Sequence, residues 1–192
     1  ISKIDLSDDY LQAIRLYASC ADELKSSELY RNDLIEFVSY YVAAKAENFY
    51  KQALKDDSEN RVLAAQRNLQ QTVDLLMDVD KLLASHPLYR LEEWVELARN
   101  SGTTLQEKDA YEANAKRLIT SWGGIQEDYA ARFWSGLIKD YYIPRIQLYF
   151  TKGRNKIREW EEQWITSPWS NSTTPFDDPV EAALSLIEKT NK

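Results

Sequence analysis

The sequence predicts an all-α fold: a bundle of seven or so mostly antiparallel helices forming a single domain over residues 1–192. Three observations carry this. Apolar residues recur at steps of three and four along most of the chain, helix-interrupting residues are scarce at five Gly and five Pro, and no stretch shows the strict alternation of a half-buried strand. With 44% hydrophobic residues and six Trp, twelve Tyr and five Phe, the chain carries enough bulky side chains to fill a core without a disulfide or metal staple.

The elements follow in order. Residues 8–24 and 32–56 read as two helices, the second carrying Leu34, Phe37, Val38, Tyr41, Val42, Lys45 and Phe49 at helical spacing. A third is predicted over 59–84, with Ser58 as its N-cap and the stripe Val62, Ala65, Leu69, Thr72, Leu76, Val79 and Leu83 facing a core. Pro87 suits the first position of a helix through residue 99, which Asn100-Ser101-Gly102 should stop. A fifth helix is expected over 104–121. Gly123-Gly124 then turns the chain into a helix from about 127 to 151, kinked or split at Ile143 because Pro144 removes a hydrogen bond and crowds the preceding turn. Gly153 ends it. A short helix with Ile157, Trp160 and Trp164, a polar loop over 167–179 and an amphipathic helix over 180–190 complete the chain.

Composition narrows the function. Twenty-four Lys plus Arg against thirty-one Asp plus Glu leave a formal charge of −7, which sets the overall field against nucleic acid. No apolar run reaches the roughly 18 residues of a membrane span. A single Cys, Cys20, and a single His, His86, provide no His/Cys cluster for a metal, and nothing calls for a cofactor. His86, wedged between Ser85 and Pro87, reads as a turn or capping residue rather than a general base. Gly123-Gly124 has neither the preceding strand nor the following Lys of a phosphate loop. Carboxylates are plentiful, but no pair is singled out for acid–base work. Asn171-Ser172-Thr173 forms a glycosylation sequon in the polar loop. Beginning at Ile1, with no initiator Met or signal segment, the chain reads as part of a longer protein.

The densest chemistry lies between Tyr111 and Phe150. Trp134, Leu137, Ile138 and Tyr141 share one helical stripe and read as core, while Asp128, Arg132, Ser135, Lys139 and Tyr142 line another face, with Asp128 and Arg132 spaced as an ion pair. Trp122, at a helix end beside two glycines, is open to two readings: packed in the core, or projecting so that its ring stacks on the apolar face of a sugar.

Several runs carry a family resemblance. They are Asp78-Val79-Asp80-Lys81-Leu82-Leu83-Ala84-Ser85-His86-Pro87, Tyr111-Glu112-Ala113-Asn114-Ala115-Lys116-Arg117, Ser121-Trp122-Gly123, Asp128-Tyr129-Ala130-Ala131-Arg132-Phe133-Trp134-Ser135-Gly136-Leu137 and Asp140-Tyr141-Tyr142-Ile143-Pro144-Arg145. Together they resemble the C-terminal all-helical region of the alpha-N-acetylglucosaminidase family of glycoside hydrolases. Lys116, where that pattern often has Arg, and Ile146, where it often has Trp, depart from it. The resemblance implies a parent enzyme whose (β/α)8 barrel, absent here, carries two catalytic Glu residues. This domain would wall the substrate cleft and buttress the barrel, its partners being that barrel and a carbohydrate with terminal N-acetylglucosamine. It further implies no catalytic residue in this chain, a sugar contact at the position of Trp122, and cleft or interface support from Asn114, Arg117, Asp128, Tyr129, Arg132, Tyr142 and Arg145. A secreted, periplasmic or lysosomal site goes with such enzymes. The competing reading is a non-catalytic helical module that docks a protein partner through its aromatic-rich face.

Overall fold

The computed structural model describes residues 8–122 and 130–190. It is all-α. Among the described residues the only extended pairing is an isolated parallel bridge between Arg90 and Ser135. The chain gathers into two compact units, one formed by its first 87 residues together with 174–192, the other by 88–173.

The first unit is built on a helical hairpin. Helix α3 (Glu28–Ser58) and helix α4 (Val62–Leu83) are joined by the tight turn 59–61, in which Asn60 takes the left-handed conformation at φ 59°. Asp56 latches this turn. Its buried carboxylate accepts from Arg61 Nε at 2.9 Å, Gln52 Nε2 at 2.8 Å and Asn68 Nδ2 at 2.7 Å, and the Arg61 guanidinium holds it below the usual carboxylate range despite burial. Ser58 is therefore the last residue of α3, not the N-cap expected for the next helix. The stripe from Ala65 to Leu83 faces inward, although Val62, at its start, is exposed.

α3 buries residues on more than one side, including Leu34, Ile35, Val38, Tyr41, Val42 and Ala46, because α1 (Asp8–Ala18), α4 and α9 (Pro179–Thr190) all pack on it. α9 closes the unit with Val180, Ala183, Leu186 and Ile187, and Lys189 pairs with Asp78 at 2.6 Å. Each such aliphatic burial contributes roughly 1.5–3 kcal/mol. The expected helix over 8–24 is broken into α1 and the single turn α2 (Ala21–Leu24). The Tyr30 hydroxyl donates to the carbonyls of Tyr17 and Ala18, and Ser19 Oγ donates to that of Leu16, so α1 can end without a glycine or proline. His86 is buried in the turn after α4, where desolvation lowers its pKa.

The second unit contains α5 (Leu91–Asn100), α6 (Leu105–Leu118), a π-helical turn (Ile138–Tyr142), α7 (Ile143–Lys152) and α8 (Ile157–Thr166). α5 begins four residues later than Pro87 predicts. The segment before it is drawn out by backbone bonds from Ser135 N to Tyr89 O and from Leu91 N to Ser135 O. The helix expected over 127–151 is likewise shortened, since residues 131–134 are irregular and Gly136 sits at φ +82°. Pro144 does not split the segment: the backbone stays helical through Tyr142 and Ile143, and the proline sits where the π-helical turn gives way to the first turn of α7. Leu91, Val95, Ile119, Leu137 and Tyr141 form the buried core, with Trp94, Trp134, Trp160, Trp164 and Trp169 packed around it. Tyr141 touches Trp160 and Trp164 at ring-centroid distances of 5.6 and 4.8 Å.

Candidate functional site

α6 positions the candidate surface. Its N-terminus is fixed by a capping box in which Thr104 accepts from the Glu107 N–H while the Glu107 carboxylate accepts from the Thr103 and Thr104 N–H groups and the Thr103 hydroxyl. The three bonds to its carboxylate, from the Thr103 hydroxyl and the Thr103 and Thr104 N–H groups, hold the Glu107 carboxyl down at about 2. At the other end, Ile119 enters the core and Thr120 is buried with its hydroxyl on the Lys116 carbonyl at 2.7 Å. The turn is thereby pinned, and Trp122, two residues on, is left 44% exposed. All six tryptophans are among the described residues, and the other five are partly buried against the core.

Arg132 and Tyr142 lie at this turn. The Arg132 N–H donates to Ile119 O at 3.3 Å, the Tyr142 hydroxyl donates to Arg132 O at 2.8 Å, and the Arg132 guanidinium folds back onto the carbonyls of Ala130 and Ala131. The helical face expected to hold Arg132, Ser135, Lys139 and Tyr142 together does not exist, because residues 130–136 are not helical. Its two end residues meet through the backbone instead. Arg117 and Arg145 are brackets between helices. Arg117 makes a two-pronged pair with Glu162 of α8 at 2.6 and 2.9 Å, which raises the arginine pKa and lowers the glutamate's, and Arg145 Nε donates to Glu161 at 2.7 Å beside the Tyr141 hydroxyl at 2.8 Å. Asn114 is exposed on α6. Asp128, Tyr129 and the Gly123-Gly124 pair lie outside the described residues, as does the proposed pairing of Asp128 with Arg132. Among the described residues there is no group of His, Cys, Asp and Glu that could hold a metal ion, and no helix long and apolar enough to cross a membrane.

Residues 6–189 match the family described as the alpha-N-acetylglucosaminidase C-terminal domain. The chain belongs to that family. The human alpha-N-acetylglucosaminidase is 31% identical over 144 residues, 73% of this chain and 19% of its own length. A family 89 glycoside hydrolase from Clostridium perfringens, solved in complex with PUGNAc, shares the fold at a TM-score of 0.80 and 22% identity, over 93% of this chain and 23% of that one. A Clostridium perfringens protein with two Glu-to-Gln substitutions, solved in complex with its substrate GlcNAc-alpha-1,4-galactose, superposes at a TM-score of 0.76 with the same identity and coverage. The chain thus spans about a fifth of the length of the relatives it matches.

In this alpha-N-acetylglucosaminidase C-terminal domain a buried polar cluster ties α6 to α8 and the segment after it, and residue spacing alone did not single it out. Glu112, 2% exposed, accepts from Arg99 at 2.6 Å, from Lys116 at 3.1 Å and from the Trp169 N–H at 2.5 Å. Lys116, 1% exposed, also donates to the carbonyls of Trp164 at 3.0 Å and Ser167 at 2.5 Å. Burial lowers its pKa against the opposing pull of Glu112. The available signal was the i, i+4 spacing of Glu112 and Lys116. Nothing in the sequence announces Trp169, 57 residues away along the chain. Glu112, Glu161 and Glu162 are each held by a cation, an arrangement suited to fixing geometry rather than to moving protons.

Proposed function

We propose that this chain is the helical C-terminal domain of an exo-acting, retaining glycosidase that removes terminal alpha-linked N-acetylglucosamine, and that it forms one wall of the substrate cleft beside the catalytic barrel. The observation that carries the reading is the exposure of Trp122 on a turn pinned by Ile119, Thr120 and Arg132. A rigid, half-open indole supplies a flat apolar face for a sugar ring at little cost in conformational entropy. Tyr142 supports it through Arg132, and Arg117 and Arg145 tie α6 and α7 to α8 behind it. Asn114, Asp128 and Tyr129 belong to the same wall by family pattern. Hydrolysis with retention needs a protonated carboxylic acid on the leaving oxygen and a carboxylate nucleophile at the anomeric carbon, about 5–5.5 Å apart. Both come from the barrel in this reading, and the helical domain contributes orientation and exclusion of water.

Kinetics of the complete enzyme test this. Trp122→Ala should lower kcat/KM about tenfold or more, a loss of about 1.4 kcal/mol in transition-state binding, with thermal stability nearly unchanged and partial recovery in Trp122→Tyr. An unchanged kcat/KM removes Trp122 from the site.

A further inference from the structure

The second unit contains a cavity of about 260 Å³ whose lining includes Lys116, Asp140, Pro144, Trp164, Trp169 and Asn171. Its walls are fixed. The segment that bears Trp169 and Asn171 is held by the Trp169 N–H on Glu112, by the Ser167 carbonyl on Lys116, and by the Asn171 and Ser172 carbonyls, which accept from Lys139 at 3.3 and 3.4 Å. The Trp169 ring is oriented from two sides. Its Nε1–H donates to Asp140 Oδ2 at 2.9 Å, and its Cζ2 edge packs where Gly136 has no side chain.

The chemistry of this lining selects a ligand class. The cations at this wall, Lys116 and Lys139, are matched by the carboxylates Glu112 and Asp140, so neither an anion nor a cation is favoured. The Lys116 ammonium has three protons, and they go to Glu112, Trp164 O and Ser167 O, so it offers no further hydrogen bond. Asp140 is an acceptor, with the Trp169 Nε1–H already on its Oδ2, and the Asn171 amide both donates and accepts. Two indoles and two prolines, Pro144 and Pro168, supply the apolar surface. A ligand matching all of this is neutral, rich in hydroxyls, and flat and apolar on one face. A volume just under the roughly 300–1,000 Å³ of ordinary small-molecule sites admits one ring rather than a chain.

We propose that this cavity binds a single neutral pyranose ring, with Trp169 as the apolar platform and Asp140 and Asn171 as partners for its hydroxyls. The proposal does not rest on the role given to Trp122 or on the activity of the parent enzyme.

The test is to titrate the 15N-labelled chain with N-acetylglucosamine, with galactose, and with the open-chain polyol sorbitol, following the six indole N–H resonances. At least one of the two sugars should produce saturable shifts at Trp169 and Trp164 with a Kd in the millimolar range, and sorbitol should not. Asn171→Ala and Asp140→Asn should each raise that Kd about fivefold or more. If Asp140→Asn disturbs the fold, Asn171→Ala at its exposed position decides the matter alone. The proposal is overturned by the absence of saturable shifts at Trp169 and Trp164 with both sugars up to roughly 100 mM, by equal shifts with sorbitol, or by an unchanged Kd in Asn171→Ala. Shifts confined to Trp122 also overturn it, while supporting the wall reading above.

Discussion

Gly136 shows how one backbone angle organises the second unit. At φ +82° it takes a conformation that L side chains resist, and a Cβ there would stand 3.1 Å from Trp169 Cζ2 and 3.2 Å from Leu91 Cβ. Gly136→Ala should therefore destabilise the protein by at least about 1–2 kcal/mol, read as a lower urea midpoint at unchanged slope. A mutant with the original midpoint would show that the turn has slack. Lys116 makes the complementary case in charge. Lys116→Met leaves two carbonyls and part of a buried carboxylate unsatisfied, and should cost about 3 kcal/mol by the same measurement, with Lys116→Arg costing less because it keeps the cation. The exposure of Trp122 was half legible, since a helix end beside glycines permits projection without requiring it. The meeting of Arg132 with Tyr142 was not legible, because a backbone carbonyl makes that bond and side-chain spacing carries no trace of it.

Helices were legible where an apolar stripe ran long, as from Ala65 to Leu83, because burial of one face sets the period. Their ends were less so, and the errors share a cause. Tyr30 ends α1 from a different helix, and Ser135 delays α5 from 44 residues further along, so neither boundary is encoded locally. The start of α6 is the opposite case, encoded wholly within five residues. Its Glu107 has a folded pKa near 2 against 4.5 for the free side chain. A depressed carboxyl contributes stability that is fully present above about 4.5 and is lost as pH falls through about 2. A carboxyl titration followed by NMR should place Glu107 near 2, and Glu107→Gln, which keeps a capping box without the charge, should flatten the acid limb of unfolding over that interval. A Glu107 midpoint near 4.5 would mean that the cap frays in solution.

At the scale of the whole molecule, the all-α class was legible from composition and period together. The division into two compact units was not, because the chain passes between them twice: the passage at 173–174 falls in the polar loop, but the one at Pro87 is a short turn between helices that looks like any other. The reading of this chain as a wall rather than an engine makes a flat prediction: the isolated chain should not turn over a chromogenic alpha-N-acetylglucosaminide above a no-protein control. Measurable turnover would place the catalytic carboxylates within these 192 residues.

The first unit is also discontinuous in sequence, and this has a consequence in time. α3 and α4 leave the ribosome with a flank that only α9 can cover, and α9 is made about 100 residues later. At roughly 5–20 residues per second, the faces meant for Val180, Ala183, Leu186 and Ile187 wait about 5–20 s while the whole second unit is synthesised. During nascent-chain growth the second unit can finish first and the first unit last, so the earliest helices are the ones most in need of a chaperone.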